Sequence, residues 1–152
     1  DTWHFLMSDI MVNNSIDSCT ENVYYKFKNS FETFQETKMS RIQEYTEELV
    51  RESLTSHQSM VHRFVMLCGA IGPQMNIGGI YKLYMGKNVL NKFRQDNGYK
   101  QKTYQKIWDG QEDNVYLMDI IRQILPTNEV FEDLVYECLN EKYKKVISNS
   151  IK

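Results

Sequence analysis

Lys87, Asn91 and Arg94 stand at i, i+4 and i+7 in a run whose apolar members are Leu83, Val89, Leu90 and Phe93. On a helix that spacing places the three polar side chains on one face. Two cations and a carboxamide make a poor core stripe and a good clamp for a compact polyanion. Arginine brings a fork matched to oxyanions, lysine a point charge, and asparagine a two-way hydrogen bond to a sugar or a base. Asn97-Gly98 then closes the helix, with Gly98 suited to the left-handed position. Beyond it Tyr99, Lys100, Lys102, Tyr104, Lys106 and Trp108 interleave aromatics with cations. A glycine-hinged segment of this kind can close over a ligand and exclude water. Composition alone favours a plainer reading, a solvated lysine-rich loop with its aromatics packed on the core.

The charge pattern gives the clamp its setting. The 152 residues carry 20 acids and 18 bases, a net charge of −2 that suggests no taste for anions. Divided along the chain, residues 1–81 balance at −4, residues 82–108 at +6 and residues 109–152 at −4. A compact basic block between acidic flanks suits a short, localised anion better than a long one. Hydrophobic residues at 41% and charged ones at 25% describe an ordinary globular protein and argue against disorder. No run approaches the roughly 18 apolar residues of a membrane span, and there is no signal-peptide core.

The elements that must position these residues are helices. All seven glycines fall between Gly69 and Gly110, and Pro73 and Pro126 are the only prolines. Such a distribution predicts helices on both sides of an irregular middle. Val23, Tyr24, Phe27, Phe31 and Phe34 recur at three and four, with Asp17, Ser18 or Thr20 as caps. Ile42, Leu49, Val50 and Leu54 continue the pattern, and Met60, Val61, Phe64, Val65 and Cys68 mark another apolar face. Leu117, Ile120, Ile121 and Ile124 form a stripe ending at Pro126. Thr127 or Asn128 then caps a last helix bearing Val130, Phe131, Leu134, Val135, Cys138 and Leu139. Strict alternation is absent, so strands are not expected. The fold expected is an all-α bundle of about six to seven helices, with the glycine-containing clamping segment at about 97–112.

Cys19, Cys68 and Cys138 have no close spacing, and with His4, His57 and His62 they form no metal pattern. Reduced thiols are expected, those of Cys68 and Cys138 buried, in an intracellular reducing compartment such as cytoplasm or nucleus. Glu21, Glu32, Glu36, Glu44, Glu47, Glu48 and Glu52 are expected on solvated helix faces, although Glu44 and Glu48 share one face.

The string GKNVLNKFRQDNGYK…TYQKIWDGQEDNVYL, within residues 81–117, closely resembles a segment of the dimeric all-α dUTPases, members of the MazG-like nucleoside triphosphate pyrophosphatases. Asp1-Thr-Trp-His-Phe also resembles their DxWHF segment, which begins at the last carboxylate of a metal motif. The resemblance implies hydrolysis of dUTP to dUMP and diphosphate by a homodimer using Mg2+, with dUDP a second candidate substrate. It makes Asp1 a metal ligand near the sugar 3′-hydroxyl, and places His4 and Phe5 beside the base. Lys87 and Arg94 would hold phosphates, Asn91 the deoxyribose, and Tyr99, Lys100 and Lys106 phosphates from the closing segment. Asn114 would complete the pocket, and Trp108 would anchor the loop.

In the family the remaining metal-binding glutamates and the uracil-reading segment precede DxWHF. Residues 1–152 are therefore expected to be the C-terminal part of one such domain, without turnover by themselves. Two alternatives stay open on the residues alone. One is a pyrophosphatase for another deoxynucleotide such as dCTP. The other is a single-stranded nucleic-acid module using the basic and aromatic block for stacking, a binding mode that weakens steeply with salt.

Overall fold

A computed structural model describes residues 2–12, 15–31, 39–55, 59–127 and 129–150. Asp1, Glu32, Phe34, Glu36, His57 and Asn128, and the side chain of Cys19, lie outside the described residues. The chain divides into two compact units, Asp1–Ile77 and Gly78–Lys152. Among the described residues there are seven α-helices. None is long and apolar enough to cross a membrane.

The described residues of the first unit hold α1 (Thr2–Val12), α2 (Ile16–Phe31), α3 (Met39–Thr55), α4 (Met60–Ile71) and a 3-10 turn at Pro73–Met75. α2 begins one turn before its expected caps. The Ser18 N–H donates to Ser15 Oγ at 3.4 Å, so Ser15 supplies the cap and Asp17 sits in the first turn, where a carboxylate matches the helix dipole. Val23, Phe27 and Phe31, each four residues on from the last, turn inward with Leu6, Tyr45, Leu49, Val61, Phe64, Val65 and Cys68. Trp3 packs on Phe27 and Phe64 with ring centroids 6.4 and 5.6 Å apart. Tyr24, Val50 and Leu54, read as members of apolar stripes, are exposed instead. In α3 the inward line runs through Tyr45 and Leu49, and Val50 and Leu54 fall off it. Glu48 leaves its solvated face to accept from Arg63 of α4 at 2.8 Å.

Glycine interrupts the helices at only some of the places its distribution suggested: Gly72 ends α4, and Gly98 and Gly110 lie in the irregular stretch after residue 96. Gly69 lies inside α4, and α5 (Ile77–Asp96) runs through Gly78, Gly79 and Gly86. Gly86 has a packing reason to be small. A Cβ there would stand 2.9 Å from Ile121 Cγ2 and 3.5 Å from Leu117 Cδ1, both on α6 (Asp113–Gln123). Gly86→Val is expected to destabilise the second unit by about 1–3 kcal/mol, the usual cost of overpacking. Chemical denaturation of wild type and variant measures it; an unchanged midpoint would disprove the close approach.

The second unit is α5, a short hairpin, α6 and α7 (Phe131–Ser150). α5 ends at a Schellman closure: the Tyr99 N–H donates to the Arg94 carbonyl at 2.9 Å and the Gly98 N–H to Gln95 at 3.2 Å, with Gly98 at φ +89°. Contrary to the expectation of no strands, Ile107–Trp108 (β1) pairs antiparallel with Gln111–Glu112 (β2). The loop between them is Asp109-Gly110, with φ of +47° and +85°. Both angles are positive, the type I′ geometry that matches the twist of a two-residue hairpin and that Asp-Gly favours. Lys142 of α7 pairs with Asp109 at 2.9 Å.

The core of this unit gathers Val89, Leu90, Phe93, Trp108, Leu117, Ile121, Phe131, Val135, Leu139, Tyr143 and Val146. Trp108 is fully enclosed; its indole N–H donates to the Gln105 carbonyl at 2.8 Å, and its ring packs at 5.5 Å from Tyr116 and 5.2 Å from Tyr143. α7 turns inward along Phe131, Val135, Leu139 and Tyr143. That four-residue line leaves Val130 exposed and, contrary to expectation, Cys138 exposed as well. Burial pushes the Cys68 thiol up to about 12, leaving it a protonated, inert core group.

Candidate functional site

α5 presents two faces. Val89, Leu90 and Phe93 bind it to the core, and Lys87, Asn91 and Arg94 occupy the other side, as their spacing requires. Lys87 Nζ donates to Asn114 Oδ1 at 2.7 Å, and Asn114 Nδ2 donates to Glu112 Oε2 at 3.3 Å. Lys106 Nζ pairs with the other oxygen of Glu112 at 3.2 Å. Lys87, Asn114, Glu112 and Lys106 thus form one chain of contacts across the open end of the hairpin. Arg94 Nη1 points toward Asn91 Oδ1 at 3.4 Å.

The electrostatics agree with this convergence. Lys87 is held below the usual ammonium value, first by desolvation and then by the charges of Arg94 and Lys106. Like charges are expensive to gather. Partial compensation comes from Asp113 and Glu112, and Glu112 is itself drawn down by bonds from Lys106 and Asn114.

One residue of the site escaped the sequence reading. Asp113 is completely buried, and its carboxylate accepts from Arg94 Nε and Nη2, both at 2.7 Å, and from the Tyr104 hydroxyl at 2.8 Å. Its N–H also donates to the Lys106 carbonyl at 3.0 Å. Burial alone would raise the Asp113 carboxyl; the bonds from Arg94 and Tyr104 outweigh it and hold the group below the usual carboxylate range. Tyr104 is pushed up, mainly by burial and then by its bond to Asp113, and stays protonated. The only sequence signal was an acid in the first turn of α6, which reads as dipole matching and nothing more.

The depressed carboxyl has a consequence for acid stability. A lowered folded value means the stabilisation is present above the unfolded carboxyl pKa and is lost as pH falls through the folded one. Unfolding of the second unit is therefore expected to become easier below about pH 4, and Asp113→Asn to flatten that dependence. Denaturation midpoints measured from pH 6 down to pH 3 check it; equal slopes for wild type and variant would refute it.

Tyr99 and Lys100 lie in the turn after α5, both exposed, with the Tyr99 ring 6.2 Å from Tyr104. The plainer reading of this segment holds for Tyr104 and Trp108, which pack down on the core while Lys100 and Lys102 face solvent. The Gln105 N–H donates to the Tyr143 hydroxyl at 3.1 Å, so residues 97–106 are fastened to the core at several points. His4 and Phe5 are exposed on α1 of the first unit, their rings 6.0 Å apart. Among the described residues no three His, Cys, Asp or Glu side chains gather closely enough to hold a metal ion. Asp1, the one metal ligand that the resemblance places in this chain, lies outside the described residues.

A helical scaffold with one two-stranded hairpin, a cationic face on α5 and an aromatic-pinned segment beside it define the class: an all-α protein. A family model described as dUTPase matches residues 1–99, and the chain belongs to that family. It is an all-α dUTPase of the MazG-like type, an enzyme that hydrolyses dUTP to dUMP and diphosphate. The match takes in Asp1, His4, Phe5, Lys87, Asn91, Arg94 and Tyr99 and stops short of Lys100, Lys106 and Asn114. No curated protein matches the chain.

Proposed function

We propose that the Lys87–Asn91–Arg94 face and the 97–112 segment are the triphosphate and deoxyribose clamp of this dUTPase. The supporting observation is that Lys87 shares the α5 face with Arg94 and is joined to Lys106 through Asn114 and Glu112, with desolvation first and then the charges of Arg94 and Lys106 holding Lys87 below the usual ammonium value, a cost a bound polyanion would relieve. Lys87, Arg94 and Lys106 neutralise phosphate oxygens, with Tyr99 and Lys100 adding contacts from the turn. Asn91 bonds the deoxyribose and Asn114 orients Lys87. Neutralising charge spread over phosphoryl oxygens is the main catalytic contribution when little covalent chemistry is needed.

Magnesium belongs to the proposal on the resemblance, with Asp1 among its ligands, and so do a homodimeric state and dUDP as a second substrate. Octahedral oxygen ligands and retained waters are what Mg2+ requires, and carboxylates together with triphosphate oxygens meet that requirement. Cys68 and Cys138 carry free thiols, which supports a reducing intracellular compartment.

Isothermal titration of the full-length protein with a non-hydrolysable dUTP analogue and Mg2+ tests the assignment. Binding with a clear preference over dTTP and dCTP analogues is expected. Absence of binding, or no preference, would overturn it; a dCTP preference would reassign the substrate within the same superfamily.

A further inference from the structure

The Asp113 carboxylate joins two parts of the clamp that are far apart in sequence. It receives Arg94, 19 residues earlier, through two side-by-side bonds, and Tyr104, 9 residues earlier, through a third. Oδ2 is shared: Arg94 Nε and the Tyr104 hydroxyl both donate to it. The two-bond grip fixes the guanidinium plane and leaves Nη1 and the outer edge of Nη2 pointing away from Asp113. Nη1 is the nitrogen that faces Asn91. Tyr104 in turn is wedged against Phe93 and Tyr143, with ring centroids 6.2 and 5.2 Å away. The Asp113 N–H holds the Lys106 carbonyl at 3.0 Å, so the same residue sets the backbone from which Lys106 reaches out.

We propose that Asp113 is the positioning residue of the clamp, orienting Arg94 and docking the 97–106 segment through one carboxylate. Aim of the arginine and seating of the segment are then coupled, because Arg94 and the Tyr104 hydroxyl share one acceptor, while the Tyr104 ring has its own packing on Phe93 and Tyr143. The inference rests on the clamp reading above, since it assigns Asp113 a role through Arg94 and Tyr104. A buried ion pair that serves only the fold would show no such link to substrate.

The test is a double-mutant cycle on the full-length enzyme, with dUTP kinetics and melting temperature measured for each variant. Asp113→Asn is expected to lower kcat/KM by about 10- to 100-fold, the usual range for loss of a group that orients a contact residue. In an Arg94→Ala background the same change is expected to cost no more than the about 3- to 10-fold expected for Tyr104→Phe, because only the bond to Tyr104 is then left to lose. Tyr104→Phe keeps the ring and removes the hydroxyl; KM is expected to rise by about 3- to 10-fold with kcat within about twofold. Should Asp113→Asn fail to fold, Tyr104→Phe decides the matter. Additive losses in the cycle, or a wild-type KM in Tyr104→Phe, would overturn the positioning role while leaving the clamp intact. A wild-type kcat/KM in Arg94→Ala would overturn the clamp reading and the positioning role together.

Discussion

Asp113→Ala is expected to destabilise the second unit by about 3–5 kcal/mol, the cost of breaking a buried ion pair from one side. The side chain of Arg94 is only 12% exposed and that of Asp113 is 0% exposed. Removing the carboxylate leaves a guanidinium with little water to replace it, and leaves the Tyr104 hydroxyl without its acceptor. Removing both charges is a different experiment. Asp113→Leu combined with Arg94→Met is expected to recover most of the loss, to within about 1–2 kcal/mol of wild type, since apolar side chains of similar volume avoid the desolvation penalty. Urea denaturation followed by the fluorescence of Trp108, which sits in the same core, measures all three proteins. A single-variant loss below about 1 kcal/mol would show that the pair is solvated and its geometry loose.

Lys87→Ala is expected to lower kcat/KM for dUTP by about 10²- to 10³-fold, comparable to removing one preorganised donor from a site of developing charge. Its side chain lies on the exposed side of α5, away from Val89, Leu90 and Phe93, so the melting temperature is expected to stay nearly unchanged. That separation of activity from stability is the informative part. Lys87→Arg keeps the charge and is expected to restore part of the rate, with the remaining deficit set by the lost bond to Asn114. Steady-state kinetics at two ionic strengths check it, and an unaffected kcat/KM would remove Lys87 from the clamp.

These two residues show how unevenly the site could be read. Lys87, Asn91 and Arg94 were legible because a helix places i, i+4 and i+7 together whatever else the protein does. Gly98 was legible for the same kind of reason, since a helix that must close needs a residue that tolerates positive φ. Asp113 was not, because its partners lie 9 and 19 residues away and nothing in its neighbours distinguishes a buried carboxylate from an exposed one. The hairpin hid for a related reason. Two-residue strands are too short for alternation to register, and only Asp109-Gly110 betrays them.

The glycines and cysteines misled in an instructive way. A glycine costs about 1 kcal/mol in a helix interior relative to alanine, so their concentration between Gly69 and Gly110 argued for irregular chain. At Gly86 that cost is offset by the approach of α6, a contact that no local pattern contains. Cys138 lies one position from the buried Leu139 and fits an apolar period almost as well. The line chosen through Phe131, Val135, Leu139 and Tyr143 depends on which side of α7 meets Phe93 and Trp108.

By itself, then, the sequence determined what acts over one or two turns: the helical scaffold, part of each inward stripe, the cationic face of α5 and the closure at Gly98. Hydrogen bonds and side-chain neighbours three or four residues apart are set by covalent geometry, and composition is enough to reveal them. Only the tertiary structure decided that Asp113 would be buried between Arg94 and Tyr104, that Trp108 would pin the segment that follows α5, and that Gly86 would lie against Ile121 and Leu117 of α6. Burying a carboxylate is unfavourable until its partners arrive from elsewhere in the chain, so that choice belongs to the packed molecule.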